Sequence, residues 1–82
     1  MPPRDEVERG LADTWRDLLA VEEVGLEDDF YALGGDSMLA FRLRQRLTRD
    51  LGVVLEMREV LGTPVLAGLA ELVRARKPSG TQ

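Results

Sequence analysis

The chain contains neither cysteine nor histidine. Without thiols it has no disulfide framework and no thiolate metal site to add stability. Without imidazole, a Ser-His-Asp triad, a Cys-His pair and a histidine-ligated zinc site are excluded by inventory. A lysine base for a nucleophilic serine would have to be Lys77, in the tail, which sets a serine hydrolase aside. Basic residues are also in the minority, 11 against 15 acidic ones, for a formal net charge of −4. Binding to a phosphate backbone draws its affinity from clustered Lys and Arg, so an acidic whole argues against nucleic acid. No apolar run approaches the roughly 20 residues that cross a bilayer. The opening Met1-Pro2-Pro3-Arg4-Asp5 lacks the apolar core of a secretory signal. The expectation is a soluble, cytoplasmic protein with no membrane segment.

What is present fits one domain over residues 1–82, with no internal repeat and an ordered core over about 5–76. Pro2-Pro3 at the front and Lys77-Pro78-Ser79-Gly80-Thr81-Gln82 at the back have the composition of flexible ends. Asp5, with Glu8 three residues on, predicts a capped first helix. Val7, Leu11, Trp15, Leu18 and Leu19 form its apolar stripe. Gly10 weakens that helix by roughly 1 kcal/mol relative to Ala. Residues Ala20 to Asp36 form a long acidic loop anchored by Val21, Val24, Leu26, Phe30, Tyr31 and Leu33, with a short helical turn near Phe30-Tyr31. A second helix runs from Asp36-Ser37 to Leu51, with Gly52 as its stop. Val53-Val54-Leu55 reads as an extended connector, and Met57 to Leu61 as a short third helix ended by Gly62. Thr63 as cap and Pro64 at the first position open the last helix, Pro64 to about Arg76, which buries Val65, Leu66, Leu69 and Val73. Arg74, Arg76 and Lys77 suit the dipole at its end. The predicted fold is all-α, a small four-helix bundle of three main helices and one short one.

The informative segment is Asp28-Asp29-Phe30-Tyr31-Ala32-Leu33-Gly34-Gly35-Asp36-Ser37-Met38-Leu39. A glycine pair ends a loop and leaves the approach clear of side chains. A serine then opens a helix, where a phosphate on its hydroxyl faces free backbone N–H groups and the positive end of the dipole. Asp36 either caps the helix or helps hold a metal ion while an outside enzyme works on Ser37. Alone, Gly-Gly-Asp-Ser is equally a turn followed by two cap residues. The helix behind it adds the decisive asymmetry. On a wheel of about 100° per residue, Leu39, Ala40, Leu43, Leu47 and Leu51 fall within an arc of roughly 120°, a core stripe. Met38 and Phe41 lie within roughly 100° of Ser37 on the opposite side. Large apolar side chains beside an exposed serine suit a surface that docks partners.

With those residues in view, Asp28 to Ala40 resembles the thiolation motif of peptidyl carrier proteins, the phosphopantetheine-binding T domains of nonribosomal peptide synthetases. The likeness spans the Trp15 helix, the acidic loop, Leu33 to Leu47 and the Thr63-Pro64 opening of the last helix. It implies a carrier with no catalytic residue of its own. A phosphopantetheinyl transferase, using coenzyme A and magnesium, would attach 4′-phosphopantetheine to Ser37, framed by Gly35 and Asp36. The arm's thiol would take an aminoacyl group from an adenylation enzyme as a thioester. Condensation, tailoring or release enzymes would then visit it, meeting Leu33, Met38 and Phe41. The product class implied is a secondary metabolite such as a peptide antibiotic. Where many such carriers have histidine before the serine, this chain has Asp36, as in carriers serving epimerising modules and in acyl carriers of fatty acid and polyketide synthesis. Arg42-Leu43-Arg44-Gln45-Arg46-Leu47 also has a polyketide-carrier flavour. The basic second helix, with Arg42, Arg44, Arg46 and Arg49, departs from the acidic one usual in fatty-acid carriers, and Leu33-Gly34-Gly35 favours the peptidyl class.

Two rival readings stand beside the carrier. Arg42, Arg46 and Arg49 cluster within roughly 60° on the wheel, which would serve a nucleic-acid-binding module, although a solvated face suits an acidic protein better. A docking domain that is never modified would use Met38 and Phe41 with Ser37 as a plain cap. A monomer is expected, and Met1 so close to the first helix fits a free-standing protein.

Overall fold

The computed structural model describes residues 5–77 and holds four helices in the expected order: α1 (Glu6–Leu19), α2 (Ser37–Leu51), α3 (Met57–Leu61) and α4 (Leu66–Arg76). The expected flexible ends lie outside the described residues, apart from Lys77, the residue that caps α4. α1 packs on both α4 and α2, and α2 also packs on α3.

Asp5 caps α1 as its spacing predicts, its carboxylate accepting from the Glu8 N–H at 2.8 Å. Glu8 itself is buried, and its side chain turns to Arg74 of α4 at 3.7 Å, which also holds Asp5 at 2.7 Å. One arginine thus fastens the start of α1 to the end of α4. Between the helices lies the core: Leu11 and Trp15 from α1, Leu43 and Leu47 from α2, Leu66, Leu69 and Val73 from α4. Truncating one of these leucines to alanine costs about 2–5 kcal/mol in a site that cannot collapse. Leu18 and Leu19, at the end of the predicted α1 stripe, are only half-buried. α1 closes on Ala20, a non-glycine residue in the left-handed region at φ 56°.

The connector after α2 alternates as an extended segment does: Val53 and Leu55 point inward and Val54 outward. α3 carries a capping box that the sequence reading did not single out, between Glu56 and Glu59.

α4 departs from expectation. It begins at Leu66 with Val65 at the cap position, and no side chain caps it, so Thr63 is not the cap and Pro64 is not the first helical residue. The reason is long-range. Pro64 O accepts from the Phe30 N–H at 2.8 Å, and the Leu66 and Ala67 N–H groups donate to Asp28 O and Leu26 O. The backbone at Val65 therefore pairs with Asp29 across an antiparallel bridge. That pairing satisfies the first amides of α4 in place of a cap. It also turns Val65 outward, so this valine is exposed and not part of the core.

Candidate functional site

Loop 20–36 reaches α2 by a path fixed at each step. Asp28 accepts from the Gly25 N–H at 2.7 Å, and the bridge to Val65 follows. The Asp29 carboxylate accepts from the Tyr31 and Ala32 N–H groups at 2.8 and 3.1 Å. Leu33 N–H then closes one i→i+4 turn on Asp29 O. The expected helical turn near Phe30-Tyr31 is therefore a single turn and not a helix. Tyr31 ties the loop to α3, its hydroxyl donating to Leu61 O at 2.9 Å.

Phe30 turns inward and meets Trp15 edge-on, ring centres 5.2 Å apart at 67°. The chain then doubles back over that ring. Gly34 takes a left-handed φ of 106°, and Gly35 N–H donates to Phe30 O at 2.9 Å. A Cβ on Gly35 would lie 2.3 Å from Phe30 Cδ2, so only glycine allows the backbone this close. Gly35 thus sets the height of the next two residues against a fully anchored aromatic ring.

Those residues are Asp36 and Ser37. Asp36 is extended, its carbonyl accepts from Ala40 N–H, and its carboxylate accepts from Leu39 N–H at 2.9 Å. The Asp36 carboxylate therefore caps α2, as one of its two expected roles requires. No group of three acidic residues that would hold a metal ion occurs among the described residues. Ser37 is the first residue of α2 and is exposed; its hydroxyl and the N–H groups of Ser37 and Met38 have no hydrogen-bond partner among the described residues. A bare hydroxyl beside two open amides at the positive end of a 15-residue helix fits a phosphodiester. When bound there, a phosphopantetheine group would supply a long arm ending in a thiol.

Met38 is 70% exposed and Phe41 45%, while Ala40, Leu43 and Leu47 are buried behind them. The two faces expected from the wheel are present, with Leu39 and Leu51, at the edges of the core stripe, only half-buried. Leu33 is half-buried against the core, at the edge of the exposed face. The arginines do not form a free strip. Arg46 is held by Asp17 at 3.2 Å and Asp50 at 3.8 Å, Arg49 by Asp50 at 2.8 Å, and Arg44 donates from Nε to Leu55 O. Asp50 titrates below the usual carboxylate range, first because Arg49 donates to it.

A family model described as a phosphopantetheine attachment site matches residues 9–73. This chain belongs to that family. Among its relatives, cyclosporin synthetase simA of Tolypocladium inflatum is 46% identical over 74 residues. That match fills 90% of this chain and rounds to 0% of the relative, so the chain spans far less than two thirds of such a protein. A solved structure described as a non-ribosomal PCP domain is 40% identical, with a TM-score of 0.74, covering 85% of this chain and 90% of the other. A peptidyl carrier protein solved with the phosphopantetheine transferase Sfp and coenzyme A is 29% identical at a TM-score of 0.88, covering 93% and 99%. The four-helix carrier fold is shared with these two solved structures, as the resemblance implied.

The sequence reading missed the supports of the site. Spacing alone shows Phe30 as one of six loop anchors, whereas in the fold it supports Gly35, and Tyr31 bonds Leu61 thirty residues away. Only the pairing of an aromatic with a glycine five residues later hints at the first.

Proposed function

We propose that this chain is a cytoplasmic, monomeric carrier domain that holds an aminoacyl or peptidyl group as a thioester on 4′-phosphopantetheine joined to Ser37. It does no chemistry of its own beyond offering one hydroxyl. The observation that carries the reading is the exposed Ser37 at the first position of α2, framed by Gly35 and Asp36 and beside two amides that have no partner among the described residues. Met38 and Phe41, with Leu33 at the edge, serve as the face on which a phosphopantetheinyl transferase, an adenylation enzyme and condensation or tailoring enzymes land in turn. The relatives support the nonribosomal peptide setting, and the solved complex with a transferase and coenzyme A supports the loading step. Among the described residues no helix is long and apolar enough to cross a membrane.

Incubation with coenzyme A, magnesium and a promiscuous transferase tests this reading by intact mass. The wild-type chain is expected to gain one arm and Ser37→Ala none. An unmodified wild type would favour a docking domain, and a modified Ser37→Ala would refute the site.

A further inference from the structure

An open groove runs between the last turn of α1 and the outer side of α2, lined by Leu18, Arg42, Gln45, Arg46 and Arg49. It continues from the exposed Met38 and Phe41, since Arg42 follows Phe41 and sits one turn beyond Met38. Its charge is opposite to that of the chain as a whole, which carries −4. Two aspartates answer its three arginines: Asp17 faces Arg46, and Asp50 is shared by Arg46 and Arg49. Arg42 is exposed and has no acidic partner among the described residues. Gln45 lies beside it, also exposed, and Leu18 supplies a half-buried apolar floor.

We propose that this groove docks an acidic helical segment of a partner enzyme, with one carboxylate on the unpaired Arg42, a second exchanging with Asp50 at the exposed Arg49–Asp50 pair, and an apolar side chain on Leu18. The inference rests on the carrier reading, because a carrier works only through visiting enzymes. Charge complementarity selects the occupant. Arg42 and Arg49 are seven residues apart, about 10.5 Å along α2, which matches two carboxylates two turns apart on a partner helix. A net-acidic carrier repels acidic proteins at long range, so a local cationic groove gives such a partner one orientation of approach. Exposed rim charges of this kind act on association rate and salt dependence more than on final affinity.

The test titrates the isotopically labelled chain with two synthetic helical peptides and one single-stranded oligonucleotide. One peptide carries a leucine stripe edged by glutamates seven residues apart, and the other has lysine in place of each glutamate. The acidic peptide is expected to shift the amides of Leu18, Arg42, Gln45 and Arg49, and to bind about fivefold more weakly when salt rises from about 50 to about 300 mM. Arg42→Glu is expected to weaken it about tenfold, and the milder Arg42→Gln by less. Equal binding of the lysine peptide, no shift at these amides, or preferential binding of the oligonucleotide would each overturn the proposal. The titration is read whether or not the arm has been attached. A chain that takes the arm and ignores the acidic peptide refutes only this inference, whereas one that takes no arm refutes the carrier reading beneath it.

Discussion

The two ends of α2 are built from the same materials and finished in opposite ways. At the C-terminal end the chain is closed. Gly52 adopts a left-handed φ of 68°, its N–H returns to Thr48 O, and Val53 N–H reaches Leu47 O. Thr48 adds its hydroxyl to Val53 O at 2.8 Å. At the N-terminal end Asp36 satisfies one amide through its side chain and another through its carbonyl, and two amides and the Ser37 hydroxyl beside them have no partner among the described residues. A helix end sealed by its own backbone is architecture. One held open by an anchored loop is suited to an anion, because unfilled donors attract one.

Substitutions at the two ends can break that comparison, and the largest effect is expected at Gly35. Gly35→Ala places a methyl group against the Phe30 ring and forces the loop off Trp15, a change of about 2 kcal/mol or more. The denaturant midpoint is expected to fall, and the rate of arm attachment to fall with it. Gly52→Ala meets the left-handed penalty at the sealed end, about 1 kcal/mol, and is expected to lower thermal stability while arm attachment proceeds unchanged. If Gly52→Ala slowed attachment as much as Gly35→Ala, the division between the ends would be wrong. Asp36→Ala removes a cap and is expected to cost about 1 kcal/mol, with faster amide exchange confined to the first turn of α2.

The smallest effect concerns α3. Glu59 titrates below its ordinary range because Arg76 donates to it and, next, because the Glu56 N–H does. A carboxylate with a lowered folded pKa stabilises the fold above its unfolded pKa and loses that contribution as pH falls through the folded value. Acidification below the normal glutamate range is therefore expected to loosen α3 from α4 before α2 opens, as amide exchange followed by NMR would report. Uniform loosening would mean that Glu59 is not the group responsible.

How much of this was legible beforehand follows from the range of each interaction. α2 was readable because its limits are local, Asp36 and Gly52, and its faces follow from a 3.6-residue period. Met38 and Phe41 could be placed outward on that basis alone. The start of α4 was misread because Thr63-Pro64 is a genuine local signal, overridden by backbone pairing with residues more than 30 positions away. Gly35 was recognised as part of the site, but the ring that demands a glycine there comes into view only when the loop folds back. The left-handed Ala20 had no sequence signal, since glycine is the usual residue at such a cap.

The chain has only two serines, Ser37 and Ser79. Fragment-ion mass analysis of the wild-type chain after treatment with coenzyme A and transferase therefore locates the arm directly. The account predicts every modified fragment to contain Ser37, and an arm found on Ser79 or on any other residue would contradict it.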